Sequence, residues 1–295
     1  MMAGFAYLAP GSVAETLTVL GEHARAGRRA QVMAGGTDVL VQLRAVDKTP
    51  RTLIDIKQLP EVNRLDVDSD PVFIGAAIPS AVLNEHPALL RMYPGLLEAA
   101  DLIGSTQIQG RASIGGNLCN ASPAGDTIPA MIAVGARCVI ATASGERELP
   151  VEQFVVGVGR NALAPGELLL GLRLPRAGAG TSDAYLRFTP RTEMDIAVAG
   201  CGVSVTLDAG GICTQARVGI GAVAPTALLV PAAAAALVGT RLDEAALAAA
   251  AAACSAAASP ITDKRGTADY RRKVVGVLCR RATAIARDRA LASRS

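Results

Sequence analysis

Two double-glycine strings constrain this chain more than any other feature: Ala34-Gly35-Gly36-Thr37-Asp38 and Ser113-Ile114-Gly115-Gly116-Asn117. Each follows an apolar or small-residue segment and sets two residues without a Cβ beside a hydroxyl or amide side chain. Backbone N–H groups come close to a phosphate only where no Cβ blocks the approach, and two such loops can grip a pyrophosphate from opposite sides. A plain turn uses the same residue types, so the context of each string has to decide. Two further glycine strings read as ordinary turns. Gly157 to Ala162 fits GxGxxA, and Gly219 to Ala224 is similar, but Pro165 and Pro225 follow. No helix can start there to seat a pyrophosphate on its N-terminus. The chain has no Gly-Lys dipeptide, which removes a Walker A loop.

Patterning along the 295 residues predicts the elements that carry these strings. Residues 15–27 read as a helix capped by Ser12 and ended by Gly27. A strand precedes the first glycine turn, and a second element restarts at Asp38. Residues 52–56 and 72–78 read as strands. Residues 88–104 read as helix interrupted near Pro94, and residues 110–129 as a Gly/Asn/Ser loop holding the second string. Strands follow at 138–142 and in the apolar run that ends at Pro175. Residues 176–183 look like a linker, with a new unit starting near Asp183. That unit opens with strands at 184–188, 196–207 and 212–224, the last two joined by an Asp/Gly hairpin, and then turns helical at 232, 243–258 and 267–292. Strands followed by helices mark an α+β domain.

Composition narrows the function classes. Twenty-nine basic and 26 acidic residues leave a net charge of +3, too balanced for a nucleic-acid binder or a membrane-surface protein. With no Trp, four Tyr and four Phe, stacking platforms for single strands are nearly missing. The six cysteines form no CxxC pair, which argues against a zinc ribbon, an iron–sulfur ligand set or a disulfide framework, so no metal site is expected. The N-terminal stretch lacks a basic region and is broken by Pro10, Gly11 and Glu15, so no signal peptide and a cytoplasmic location are expected. The uncharged stretch from Val218 to Thr240 is interrupted by Pro225 and Pro231 and reads as strand, turn and Ala-rich helix rather than a membrane span. His23 reads as a surface helix residue and His86 as a turn residue. Cys119 reads as a small packing residue. Glu193 and Asp195 read as loop-shaping, and the basic positions between Lys264 and Arg289 as a solvated helix face or subunit contact.

The second string continues as Leu118-Cys119-Asn120-Ala121-Ser122-Pro123-Ala124-Gly125-Asp126-Thr127. Over that run the sequence closely resembles the FAD-binding medium subunits of the carbon monoxide dehydrogenase and xanthine dehydrogenase group of molybdenum hydroxylases. The resemblance extends through Ile103-Gly104-Ser105, Gln107-Ile108, Pro165 to Leu169, Arg191 to Ala197, Val223 to Pro225 and Asp269 to Arg272, in order along nearly the whole chain.

The resemblance implies an α+β fold: FAD-binding subdomains over residues 1–57 and 58–178, and a C-terminal domain over 179–295 with a three-stranded antiparallel sheet and a helix bundle. It implies that Val32, Met33, Ala34, Gly35, Gly36, Thr37, Asp38 and Val39 wrap the FAD phosphates. Gly104, Ser113, Ile114, Gly115, Gly116, Asn117, Cys119, Asn120 and Gly125 would line the second side. Asp126 would accept a hydrogen bond from a cofactor sugar hydroxyl, Leu169 and Arg187 would border the cofactor, and Ile196 would cover one face of the isoalloxazine. No residue of this chain is implied as catalytic. The function implied is electron transfer through FAD in a heteromeric molybdenum hydroxylase, with a molybdenum-cofactor large subunit, a small [2Fe-2S] subunit and a dimer of heterotrimers. No Cys-bearing insertion for an extra cluster is present. Rival readings are a stand-alone flavin oxidoreductase, which would need its own acid or base, and a scaffold subunit that has lost FAD.

Overall fold

The computed structural model describes residues 5–44, 49–191 and 195–294. Helix formation starts where the sequence predicts: the Ser12 hydroxyl accepts from the Glu15 amide at 3.1 Å, and Gly27, at φ +62°, leads the chain out after the helix ends. The first elements are β1 (Phe5–Leu8), α1 (Val13–Arg25), β2 (Ala30–Met33), α2 (Val39–Arg44) and β3 (Arg51–Asp55). β3 lies between β1 and β2, parallel to both. His23, expected at the surface, is buried instead. Its ring nitrogens lie 2.9 Å from the Val19 carbonyl and 3.0 Å from the Thr52 hydroxyl, which ties α1 to β3.

The next stretch runs α3 (Pro60–Asn63), β4 (Leu65–Asp66), β5 (Val72–Gly75), α4 (Ser80–Asn84), α5 (Pro87–Met92), α6 (Pro94–Asp101), α7 (Thr106–Gln109), α8 (Ile114–Asn120), α9 (Thr127–Ala133), β6 (Arg137–Thr142), β7 (Gly145–Pro150), α10 (Val151–Phe154), β8 (Val155–Gly157), β9 (Arg160–Asn161) and β10 (Leu168–Leu174). Its sheet has the order β4-β5-β10-β6-β7. The central strands are buried on both faces. Val72, Ile74, Cys138, Ile140, Leu169 and Leu172 face one core together with helices α4, α5, α6, α8 and α9, whereas Phe73, Val139, Ala141, Leu168 and Leu170 face a second core with Ile54 and the apolar side of α1. Period-two alternation sends successive side chains to opposite cores.

The loop expected over 110–129 contains α8 and the start of α9. Two interactions outweigh the poor helix propensity of its glycines. The Ser113 hydroxyl caps α8 by accepting from the Gly116 amide at 3.0 Å, and Ile114 and Leu118, one turn apart, are both buried. Proline opens α5 and α6 on either side of the interruption expected near Pro94.

The last elements are β11 (Thr181–Phe188), β12 (Ala199–Leu207), β13 (Cys213–Gly221), β14 (Leu228–Leu229), α11 (Pro231–Leu237), α12 (Glu244–Ala257) and α13 (Ala268–Ala292). The antiparallel sheet β11-β12-β13-β14 has one short strand more than the three expected. The linker expected through residue 183 is shorter too: β11 starts at Thr181, and Ser182 and Asp183 are buried in it. Helices α12 and α13 begin at the caps Asp243 and Thr267, whose side chains accept from Ala246 and Tyr270 amides. Both pack on the sheet through an Ala- and Cys-rich core. Among the described residues no helix is long and apolar enough to cross a membrane.

Candidate functional site

A cleft of about 620 Å³ lies where the two glycine strings meet. The first string is the turn between β2 and α2. Among the described residues, the amides of Gly35, Gly36, Thr37 and Asp38 donate to no protein acceptor, which leaves a run of N–H groups for a ligand. Gly36 has φ +80°, a backbone conformation that disfavours any other residue. Gly35 has a different reason to be glycine: a Cβ there would sit 1.7 Å from the Arg111 carbonyl oxygen. That contact draws the loop against the chain leading into α8.

α8 forms the facing wall. A Cβ on Gly115 would meet the Ala76 carbonyl oxygen at 2.5 Å, so this glycine is needed for packing. A Cβ on Gly116 would meet only the Ser113 hydroxyl, at 3.1 Å. Gly116 lines the cleft, and the protein itself asks little of its missing side chain. Asn117 is oriented by the Thr127 hydroxyl, which donates to its Oδ1 at 2.7 Å. A Cβ on Gly125 would come within 3.0 Å of that same oxygen.

Side-chain amides cross from one wall to the other. Arg51 donates to Gln31 Oε1 at 3.0 Å, Gln31 donates to Gln42 Oε1 at 2.7 Å, and Gln42 donates to Asn120 Oδ1 at 3.2 Å. The β8–β9 hairpin closes the end of α8. Asn161 donates to the Cys119 carbonyl at 2.9 Å, and the Gly159 amide donates to that of Ala121 at 2.9 Å. Of the ionisable side chains, Arg29, Asp38 and Cys119 line the cleft, and no histidine does among the described residues. Burial raises the Asp38 carboxyl above the usual range and pushes the Cys119 thiol up to about 12, so Cys119 is a neutral thiol at physiological pH. Nothing in this set resembles a poised acid–base pair.

Of the residues singled out from the sequence, Val32, Ala34 to Val39, Ser113, Gly115, Gly116, Asn117, Cys119, Asn120 and Leu169 line the cleft together. Met33, Gly104, Ile114, Gly125, Asp126, Arg187 and Ile196 are not in its lining. Ile114 is fully buried in the core beneath α8. Gly104, at φ +61°, adjoins Ile103, which does line the cleft. Both carboxylate oxygens of Asp126 are engaged within the protein, by the Tyr185 hydroxyl at 2.8 Å and by Arg187 at 2.6 Å. Burial raises the Asp126 carboxyl and the Arg187 charge opposes that rise. This buried pair joins β11 to the start of α9. Ile196 is exposed, and its amide donates to Asp195, which pairs with Arg191 and Arg265. Glu193 lies outside the described residues.

Sequence reasoning missed Gln31, Gln42, Ala76, Asn161, Leu163 and Leu168. The string discarded as a decoy dinucleotide turn, Gly157 to Ala162, supplies Gly159 and Asn161 to the cleft by way of a hairpin. The one available signal was the amide side chain two residues after a turn glycine.

The row of amides from Gly35 to Asp38, faced by the open Gly116, forms a cradle that suits a pyrophosphate, in a cleft within the range of about 300–1,000 Å³ usual for cofactor sites. Comparison with known proteins agrees. Residues 3–177 match the FAD binding domain in molybdopterin dehydrogenase, and residues 184–286 match the CO dehydrogenase flavoprotein C-terminal domain. The chain therefore belongs to the FAD-binding flavoprotein family of the molybdopterin dehydrogenases. Within that family it is 34% identical over 278 residues to the carbon monoxide dehydrogenase medium chain of Hydrogenophaga pseudoflava, covering 94% of this chain and 95% of that one. It is 31% identical to the nicotinate dehydrogenase FAD-subunit of Eubacterium barkeri over 82% of each chain. The solved carbon monoxide dehydrogenase of Hydrogenophaga pseudoflava, a form lacking the Mo-pyranopterin moiety, superposes with a TM-score of 0.92 at 35% identity, over 98% of this chain and 99% of that one.

Proposed function

We propose that this chain is the FAD-binding electron-transfer subunit of a heteromeric molybdenum hydroxylase. A large molybdenum-cofactor subunit would oxidise the substrate, and a small [2Fe-2S] subunit would pass electrons to this chain and on to a terminal acceptor. The relatives that support this reading are a medium chain and a FAD subunit, matched over 95% and 82% of their own lengths. The observation that carries it is the pair of facing walls: amides of Gly35 to Asp38 without protein acceptors on one side, and Gly116 open to the cleft on the other.

Bound FAD would supply the exchange between one-electron and two-electron transfer. The residues of this chain bind and orient. Gly35, Gly36, Thr37 and Asp38 would offer amides to one side of the pyrophosphate, and α8 would offer Gly116 and Asn117 to the other. Asn117 is held in place by Thr127 and Asn120 by Gln42, so both amides enter the cleft already oriented. Val32, Ile103, Leu168 and Leu169 give the apolar lining that excludes water. Asp126 and Arg187 would act through the placement of α9, and Ile196 would reach the isoalloxazine from the C-terminal unit. Assembly as a dimer of heterotrimers in the cytoplasm, and the division at residues 57 and 178, belong to the same proposal.

The test is the absorption spectrum of the purified chain with and without FAD, for the wild type and Gly116→Val. Flavin bands that sharpen in the wild type, with an affinity loss of about tenfold or more in the variant, are expected. A wild type that takes up no FAD even beside its large and small subunits would overturn the proposal. A stand-alone flavoenzyme would instead turn over substrate without partners.

A further inference from the structure

The C-terminal core holds a group of nucleophiles that the flavin site does not use. The Sγ atoms of Cys201 on β12, Cys254 on α12 and Cys279 on α13 all lie within 4.8 Å of one another, and all three residues are fully buried. Their sequence spacing matches no metal-binding pattern, which is why it gave no signal. The fold brings them together. A Cβ on Gly276 would meet Ser255 Oγ at 2.6 Å and the Ala251 carbonyl at 3.0 Å, so α12 and α13 approach almost backbone to backbone. One turn further along, Cys279 meets Cys254 at this seam, and the sheet supplies Cys201.

We infer that Cys201, Cys254 and Cys279 form a closed three-sulfur site for one soft d10 cation of the zinc, cadmium or copper(I) class. Metal–sulfur bonds of roughly 2.3 Å place the ligands of a trigonal site about 4.0 Å apart, compatible with the observed cluster. Thiolates select soft and borderline cations over magnesium or calcium. The sulfurs bind as thiolates, so binding releases three protons with no change of oxidation state. A divalent cation leaves the site with a single negative charge, the smallest that three thiolates allow in an Ala-rich core. Because the sulfurs are enclosed, the cation enters as the domain folds. It joins the sheet to both long helices at one point, independently of FAD.

The test counts metal in the full chain purified from zinc-supplemented cells after dialysis against a chelator, followed by exchange with cadmium to read sulfur-to-metal charge-transfer absorption. About one zinc per chain is expected, falling about tenfold in Cys254→Ala and Cys279→Ala and unchanged in Cys138→Ala, whose thiol lies in the other core. FAD binding serves as the folding control. Where an Ala variant loses FAD, the Ser variant, which keeps the volume, is judged by the same criterion. Less than about a tenth of an equivalent in the wild type, or metal retained in both variants, would show that the three thiols only fill space.

Discussion

One added methyl group separates the roles of two glycines in the cleft. At Gly35 it would run into the Arg111 carbonyl, a backbone atom that cannot swing aside, whereas at Gly116 it would meet only a hydroxyl. Gly35→Ala should therefore lower both the thermal midpoint and FAD affinity, because the two loops are forced apart. Gly116→Val should lower FAD affinity while the midpoint of the apoprotein stays within a few degrees. Melting curves and flavin titrations of the two variants check this, and equal destabilisation by both would refute the division of roles. Both glycine strings were legible because a missing Cβ is written in the sequence itself. Gln42 and Asn161 were not. A side-chain amide carries no periodicity, and it joined the site only once α2 and the β8–β9 hairpin had been placed against α8.

At the scale of elements, α8 is the instructive case. Gly115, Gly116, Asn117 and Asn120 all favour turns over helix, so local propensity spoke for a loop. The cap at Ser113 and the buried pair Ile114 and Leu118 decided otherwise. The long helices α12 and α13 were legible, since Ala-rich runs and the caps Asp243 and Thr267 agree with the tertiary packing. The basic stretch on α13 is less solvated than its charge suggests. Arg271 is buried, donating to Asp263 and to the carbonyls of Val198 and Ala222, and Arg289 pairs with Glu98. Between β11 and α9 the buried Arg187–Asp126 pair makes a second prediction. Arg187→Met leaves a buried carboxylate facing only the Tyr185 hydroxyl and should cost about 3–5 kcal/mol. The double variant Asp126→Asn/Arg187→Met should recover part of that loss in urea unfolding, and a single variant as stable as the wild type would contradict this account.

On the scale of the whole molecule, the junction between the central helices and the C-terminal sheet is sensitive to pH. Asp183 is buried in β11. Its Oδ2 accepts from the Leu96 amide at the start of α6 at 2.8 Å, and its Oδ1 has no partner. Burial pushes its carboxyl up to about 7, far above the unfolded value of 3.8. The folded state then binds the proton more tightly than the unfolded state. The Asp183 contribution to stability is accordingly full below about 4 and is lost as pH rises toward 7. Asp183→Asn keeps an acceptor for Leu96 and never ionises. The stability gained over the wild type should grow from near zero at pH 4 to a few kcal/mol at most above pH 7, read from urea unfolding at several pH values. A difference that does not vary with pH would remove Asp183 as its source.

The two walls of the cleft rest on different foundations: α8 stands on the core behind the central sheet, and the first glycine turn on the core in front of it. Apart from the Gly35–Arg111 contact and the amides running from Gln31 to Asn120, little of the protein joins them directly across the opening. A molecule seated there works like a keystone. It is gripped by both sides and adds a bridge across an opening that the protein's own side chains span at few points.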